Sequence, residues 1–213
     1  MTFAQVYDKL LKCYGRQHWW PADTPFEVMV GAILVQNIAW TNVENAIRQL
    51  KSQLYLTPQA ILAAPLPELA EWLKPSGYFN IKAQRLHNYC QWYVNAGEFP
   101  RLSCVDTSAL RKQLLAVNGI GQETADDILL YAFERPVFVI DAYTRRFFSR
   151  LKLLEGDADY ETLRYQFETG LQADVAVFNE YHALIVCHAK NACKKRPDCY
   201  CCCLAQVCPS CEE

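Results

Sequence analysis

The stretch ALRKQLLAVNGIGQETADDILLYAF, residues 109–133, reads as two helical patterns joined by the four-residue turn Asn118-Gly119-Ile120-Gly121. An apolar residue sits between two glycines. Lacking side chains, the glycines allow unusual backbone dihedrals and let an anion approach, and the free amides at the start of the second helix attract a phosphate. The same four residues also suit an ordinary helical turn closed by a glycine cap. The flanking sequence has to decide.

Toward the amino terminus, Thr24-Pro25-Phe26-Glu27 places a capping residue, a proline and a glutamate ahead of the apolar VMVGAILV, so a helix should start there. Thr41-Asn42-Val43-Glu44 reads as a second capping box opening VENAIRQLKSQL, and Thr57-Pro58 opens QAILAA. Further helical patterns cover PELAEWL, IKAQRLHNYCQWYVNAG and residues 159–190. Val137-Phe138-Val139-Ile140 is the single strand-like run, and its four residues between helix patterns read as an extended connector. The fold class is therefore all-α.

Apolar residues make up 52% of the 213, enough for a substantial core and too many for a disordered chain. No window approaches eighteen uncharged apolar residues, and MTFAQVYDKLLKCYGR lacks the apolar stretch of a secretory signal, so a soluble intracellular protein is expected. A net charge of −2 argues against a surface coated in positive charge, leaving local patches and backbone amides as the means of binding polyanions. Eight of the eleven cysteines (187, 193, 199, 201, 202, 203, 208 and 211) fall within the last 27 residues. Such a terminal cluster points to metal rather than to a disulfide framework, and four thiolates suit an iron–sulfur cluster or tetrahedral zinc equally. The basic run KNACKKR, with Lys194, Lys195 and Arg196, lies inside this loop, where cations would line phosphates.

Twenty residues beyond Gly121, Asp141 opens a helical pattern within VFVIDAYTRRFFSRL. A helix cap is one reading of it. Taken together, GIGQETAD, VFVID and RRFFSRL resemble the helix-hairpin-helix, Gly-Pro-rich loop and aspartate signature of the endonuclease III superfamily of DNA glycosylases. The resemblance extends to FEVMVGAILVQNIAWTNVENAI and to the terminal cysteines. It implies a two-lobed helical fold: a barrel over 24–136 containing the hairpin at about 109–133, and a second lobe from 1–23 plus 137–213 carrying the cysteine loop at 187–211. It further implies that Asp141 is the catalytic carboxylate, that Gly119, Ile120 and Gly121 bind a DNA phosphate, and that Gln36 or Asn37 enters the space left by a flipped base. A [4Fe-4S] cluster on Cys193, Cys199, Cys202 and Cys208 is implied too. The intervening residues number five, two and five, where the family begins with six, so Cys187, Cys201, Cys203 and Cys211 stand as alternative ligands and zinc as the alternative metal.

Bifunctional members of the superfamily carry a Schiff-base lysine in the second hairpin helix, and here that position is Glu123. A monofunctional glycosylase that leaves an abasic site, with absent or weak AP lyase activity, is expected. Trp19, Trp20 and Trp40 flank the early helix, and electron-rich indoles suit a flipped, cationic alkylated purine such as 3-methyladenine. GAILVQNIAW and LKPSGYFNIKAQRL also resemble the 3-methyladenine branch, whose best-known members lack the cysteines. The expected partner is double-stranded DNA containing a damaged base, met by a monomer with no membrane contact, cytoplasmic and nucleoid-associated as in bacteria. Two alternatives stay open: a glycosylase/AP lyase acting on oxidised pyrimidines, and a non-catalytic DNA-binding iron–sulfur or zinc protein.

Overall fold

The computed structural model describes residues 1–53 and 56–211. Among them every regular element is helical. In chain order these are α1 (Phe3–Tyr14), α2 (Pro25–Leu34), α3 (Trp40–Gln53), α4 (Pro58–Ala63), α5 (Leu66–Trp72), α6 (Phe79–Asn95), α7 (Glu98–Leu102), α8 (Thr107–Leu115), α9 (Gln122–Asp127), α10 (Ala142–Arg150), α11 (Tyr160–Gly170) and α12 (Val175–Asn191). Short polar side chains start most of them. Thr2, Thr24, Thr57, Asp106, Asp141, Asp159 and Asp174 each accept a hydrogen bond from a first-turn amide that the helix itself leaves without a partner.

The chain divides into two units, one of Trp20–Arg135 and one of Met1–Trp19 with Pro136–Glu213. In the first, α2 is the central element, buried from Phe26 to Leu34 and packed by α3, α6 and α9. Even Glu27 is enclosed, its carboxylate held 2.7 Å from Lys51 Nζ. Lys82 of α6, 1% exposed, donates from Nζ to the carbonyls of Leu34 and Ser76 and thereby closes the C-terminal end of α2. Arg111 of α8 forms a two-pronged pair with the fully buried Asp126 of α9, at 2.7 and 3.0 Å, and so sets the angle between the two hairpin helices. α9 widens into a π-helical turn over Ile128–Ala132, all five residues buried.

In the second unit α1 packs on α11 and α12, and α10 on α12. Phe138 stacks on Phe167 at 4.1 Å within a cluster that includes Phe148, Phe178 and Tyr181. The Val137–Ile140 connector is extended and almost wholly buried without joining a sheet. Side chains supply what a neighbouring strand would: Glu168 accepts from the Phe138 amide and the Tyr160 hydroxyl from that of Ile140.

Three expectations need adjustment. The box at Thr41–Glu44 does not open its helix, because α3 begins at Trp40 and Glu44 is turned to accept from the Trp40 indole N–H at 2.8 Å. The pattern at 159–190 is two helices, separated at 171–174 and restarted by the Asp174 cap. The capped α1 and the short α7 are helices that the periodicity reading did not include.

Candidate functional site

The hairpin turn belongs to the Trp20–Arg135 unit, and its two glycines differ. Gly119 adopts φ +98°, a region that disfavours side chains, and a Cβ there would collide with the Arg85 side chain. Gly121 has φ −92° and ψ 180°, extended backbone open to any residue, and a Cβ added there would meet no atom within 4 Å. The expectation that both glycines need unusual dihedrals therefore holds for Gly119 and is corrected for Gly121, whose bareness leaves open space at the start of α9. Ile120 is buried and anchors the turn.

Side chains from elsewhere in the unit hold the turn's carbonyls. Gln36 donates from Nε2 to Gly119 O at 3.1 Å and to Thr124 Oγ1 at 2.8 Å, while its Oε1 accepts from the Arg85 guanidinium. Asn88 donates to Asn118 O at 3.3 Å. Gln36 is thus brought to the hairpin. Its neighbour Asn37 is exposed with φ +59°. Glu123 lies exposed in the first turn of α9. Trp40 is buried, and Trp20 is half-buried between Trp40 at 4.8 Å and Tyr131 at 5.0 Å, with its indole against Gly31. Trp19, half-buried, falls in the other unit.

One residue the sequence reading passed over is Tyr78, 69% exposed and in the left-handed region at φ +47°. A bulky aromatic held in that conformation and in solvent is unusual. The available signal was an aromatic directly after Gly77, within LKPSGYFNIKAQRL.

In the unit of both termini, Asp141 is only 9% exposed. One carboxylate oxygen caps α10 by accepting from Thr144 N at 2.6 Å, and the other lies 3.7 Å from His182 Nε2 of α12. Burial alone would push this carboxyl's pKa up, but His182 and the Thr144 amide outweigh it and hold the group below the ordinary carboxylate range. Asp141 is an anion at neutral pH.

Cys193, Cys199, Cys202, Cys208 and Cys211 line one pocket together with Arg150 and His188. Burial pushes the Cys202 thiol up, as do the adjacent sulfurs of Cys193, Cys208 and Cys199, against a lowering contribution from the Leu204 amide. Sulfurs that oppose one another's ionisation want a shared cation. Donors already point at them: Arg150 reaches Cys193 Sγ at 3.2 Å, and the Leu204 amide reaches Cys202 Sγ at 3.4 Å. Among the described residues no three His, Cys, Asp or Glu side chains close around a single ion position. Five clustered thiols are a donor set for a thiophilic metal centre, an iron–sulfur cluster or zinc. Of the alternatives, Cys201 and Cys203 are exposed, and Asn191 donates to Cys187.

α10 carries the braces for this loop. Arg146 donates to Cys193 O at 3.0 Å, and Arg150 donates to Lys194 O at 2.6 Å and Lys195 O at 2.9 Å, while the side chains of Lys194, Lys195 and Arg196 are exposed. No described helix is long and apolar enough to cross a membrane.

Residues 30–173 match the model of the HhH-GPD superfamily base excision DNA repair proteins. A Methanocaldococcus jannaschii protein assigned by name to the DNA repair glycosylases is 46% identical over 97% of this chain and 95% of its own length. Endonuclease III of Sulfolobus acidocaldarius is 29% identical, covering 86% of this chain and 81% of itself. Among solved structures, an endonuclease III–DNA complex superposes with TM-score 0.84 at 23% identity, over 99% and 96% of the two chains. The H. pylori 3-methyladenine DNA glycosylase bound to 1,N6-ethenoadenine gives 0.76 at 27% identity, over 89% of this chain and 98% of its own.

Proposed function

We propose, for a chain that belongs to the HhH-GPD superfamily of base excision DNA repair proteins, that it is a monofunctional DNA glycosylase removing an alkylated purine such as 3-methyladenine from duplex DNA. The observation that carries this reading is Asp141, a buried carboxylate kept ionised by His182 and by the amide at the start of α10. A sugar losing its base develops positive charge, which an anion in a poorly solvated site stabilises strongly, and the same oxygen can orient the attacking water.

Glu123 supports the monofunctional assignment, since a carboxylate cannot form a Schiff base. Lys82 has the lowered pKa, about 8, that suits an amine nucleophile, but its Nζ is enclosed and engaged by two carbonyls. The amides around Gly121, with the cations Lys194, Lys195 and Arg196, would hold the DNA backbone. Asn37 would fill the vacated base position beside the hairpin-bound Gln36, Tyr78 would wedge into the stack, and Trp20 would contribute an aromatic face to the pocket. The likeness to the 3-methyladenine glycosylase supports the alkylated-purine choice.

Cys193, Cys199, Cys202 and Cys208 would hold a [4Fe-4S] cluster, which when bound ties the loop into one rigid piece and offers a one-electron couple. The 29% identical endonuclease III favours a second reading, a glycosylase/AP lyase acting on oxidised pyrimidines.

Incubation with duplexes containing 3-methyladenine, thymine glycol or no lesion, resolved with and without alkali, separates the two. Release at 3-methyladenine with nicks appearing only after alkali is the expected result. Direct nicking at thymine glycol, trappable by borohydride, overturns both the substrate and the Glu123 argument.

A further inference from the structure

Tyr14, the last residue of α1, places its hydroxyl 2.9 Å from His188 Nδ1 on α12, and His188 Nε2 lies 3.8 Å from Cys202 Sγ. His188 is 1% exposed and its ring is packed at 4.7 Å against Phe147. We propose that Tyr14 and His188 form a two-step hydrogen-bond relay that orients a ring N–H at the Cys202 thiolate and so secures this ligand and tunes the cluster it holds. The inference rests on the cluster reading above and adds to it two residues outside the cysteine loop.

The direction of the relay follows from proton counting. A metal-bound thiolate has no proton to give, so a ring nitrogen facing it must be the donor. A neutral imidazole has one N–H, and with that proton on Nε2 its Nδ1 becomes an acceptor. The Tyr14 O–H fills that acceptor, which disfavours the other tautomer. The hydroxyl thus sets, from two bonds away, which nitrogen faces the sulfur. A hydrogen bond to a thiolate withdraws charge from sulfur, which favours the more reduced, more negative cluster and slows loss of the ligand by protonation. Cys193 receives its donor from Arg150, a permanent cation. Cys202 receives its side-chain donor from a neutral ring, whose effect depends on orientation and hence on Tyr14.

The test uses the full-length protein, isolated with its iron and sulfide quantified, as wild type, Tyr14→Phe, His188→Leu and His188→Gln. Two readouts are followed: bleaching of the visible absorption in the presence of a chelator, and the reduction potential by protein-film voltammetry. Tyr14→Phe is expected to keep its helical circular dichroism yet bleach about tenfold faster, in the range for loss of a partner behind a metal ligand, with a potential shifted negative. His188→Leu should exceed it, and His188→Gln, which restores an N–H donor, should recover part of the loss. A loaded Tyr14→Phe protein that matches wild type in both readouts overturns the relay, even if His188→Leu fails to fold. A wild-type protein that contains no iron overturns the cluster reading itself and takes the relay with it.

Discussion

The hairpin turn at 118–121 presents backbone and the loop from Cys193 to Cys208 presents side chains, although both are held by side chains that grip their backbone carbonyls. Gln36 and Asn88 grip the carbonyls of Gly119 and Asn118, which orients the amide side of the turn. Arg146 and Arg150 grip the carbonyls of Cys193, Lys194 and Lys195, so that the thiols gather at one pocket while the cations stand exposed. The lesson concerns substitution. At the hairpin, adding an atom does harm; along α10 and the loop, removing a functional group does.

The largest expected effect is at the head of α10. Asp141→Asn keeps an oxygen able to cap the helix but loses the charge. Base release should fall at least about a hundredfold, the scale of one positioned acid–base group, while duplex binding in a gel-shift assay stays near wild type. An unchanged release rate would remove Asp141 from the chemistry. Because its pKa is held below the ordinary carboxylate range, the group stays ionised through mild acid. Wild-type activity should therefore show no Asp141-dependent decline until the pH falls below the range in which ordinary carboxylates titrate.

Next is Arg150→Leu, which removes donors from two carbonyls and one sulfur. Thermal or denaturant unfolding should show a loss of about 2 kcal/mol, typical for hydrogen bonds from a charged group, together with reduced iron content. Full iron content in this variant would mean that the loop does not depend on its backbone brace.

A smaller effect separates the two glycines. Gly119→Ala forces a methyl into the left-handed region and against Arg85, at a cost of about 1–3 kcal/mol in a denaturant titration. Gly121→Ala meets neither obstacle, so stability should stay within about 0.5 kcal/mol of wild type. If Gly121 faces a phosphate, this second variant should nonetheless bind duplex severalfold more weakly. Normal binding by Gly121→Ala would break the reading of the turn as an anion cradle.

The same contrast explains what could be read from the sequence. Helices announced by a short polar cap, such as Thr24-Pro25 or Thr57-Pro58, were legible because their cause lies within four residues. The boundary at Trp40 was not, because Glu44 had two possible partners and the indole took it. The cysteine loop and Asp141 were legible as residue types, and the hairpin as a glycine pattern. Their supports were not: Gln36 meets the hairpin 83 positions away, and Tyr14 meets His188 across 174. Hydrogen bonds between side chains so distant leave no local periodicity or motif. Gly121 was misjudged in its dihedrals because a glycine kept for space and a glycine kept for φ look identical in a sequence.

A final effect lies beneath the hairpin's support and appears only as pH is varied. Lys82 and Arg85 are three residues apart on α6. Arg85 reaches Gln36, and Lys82 is buried on the carbonyls of Leu34 and Ser76. Burial first, and the Arg85 charge second, lower the Lys82 pKa from 10.5 to about 8. Between those two values the unfolded chain holds a proton at this site that the folded protein has released. Stability contributed by this lysine therefore rises as pH increases from about 8 toward 10.5, and the full cost of the buried charge is felt below pH 8. Lys82→Met removes that dependence along with the two hydrogen bonds. Subtracting its unfolding free energy from that of wild type at each pH isolates the lysine from the titrating thiols and tyrosines. The difference should grow by on the order of 1–3 kcal/mol across the window in favour of wild type. A flat difference would mean that Lys82 keeps its proton in the fold, with its two carbonyls sufficient to hold an ammonium ion under the hairpin's anchoring helix.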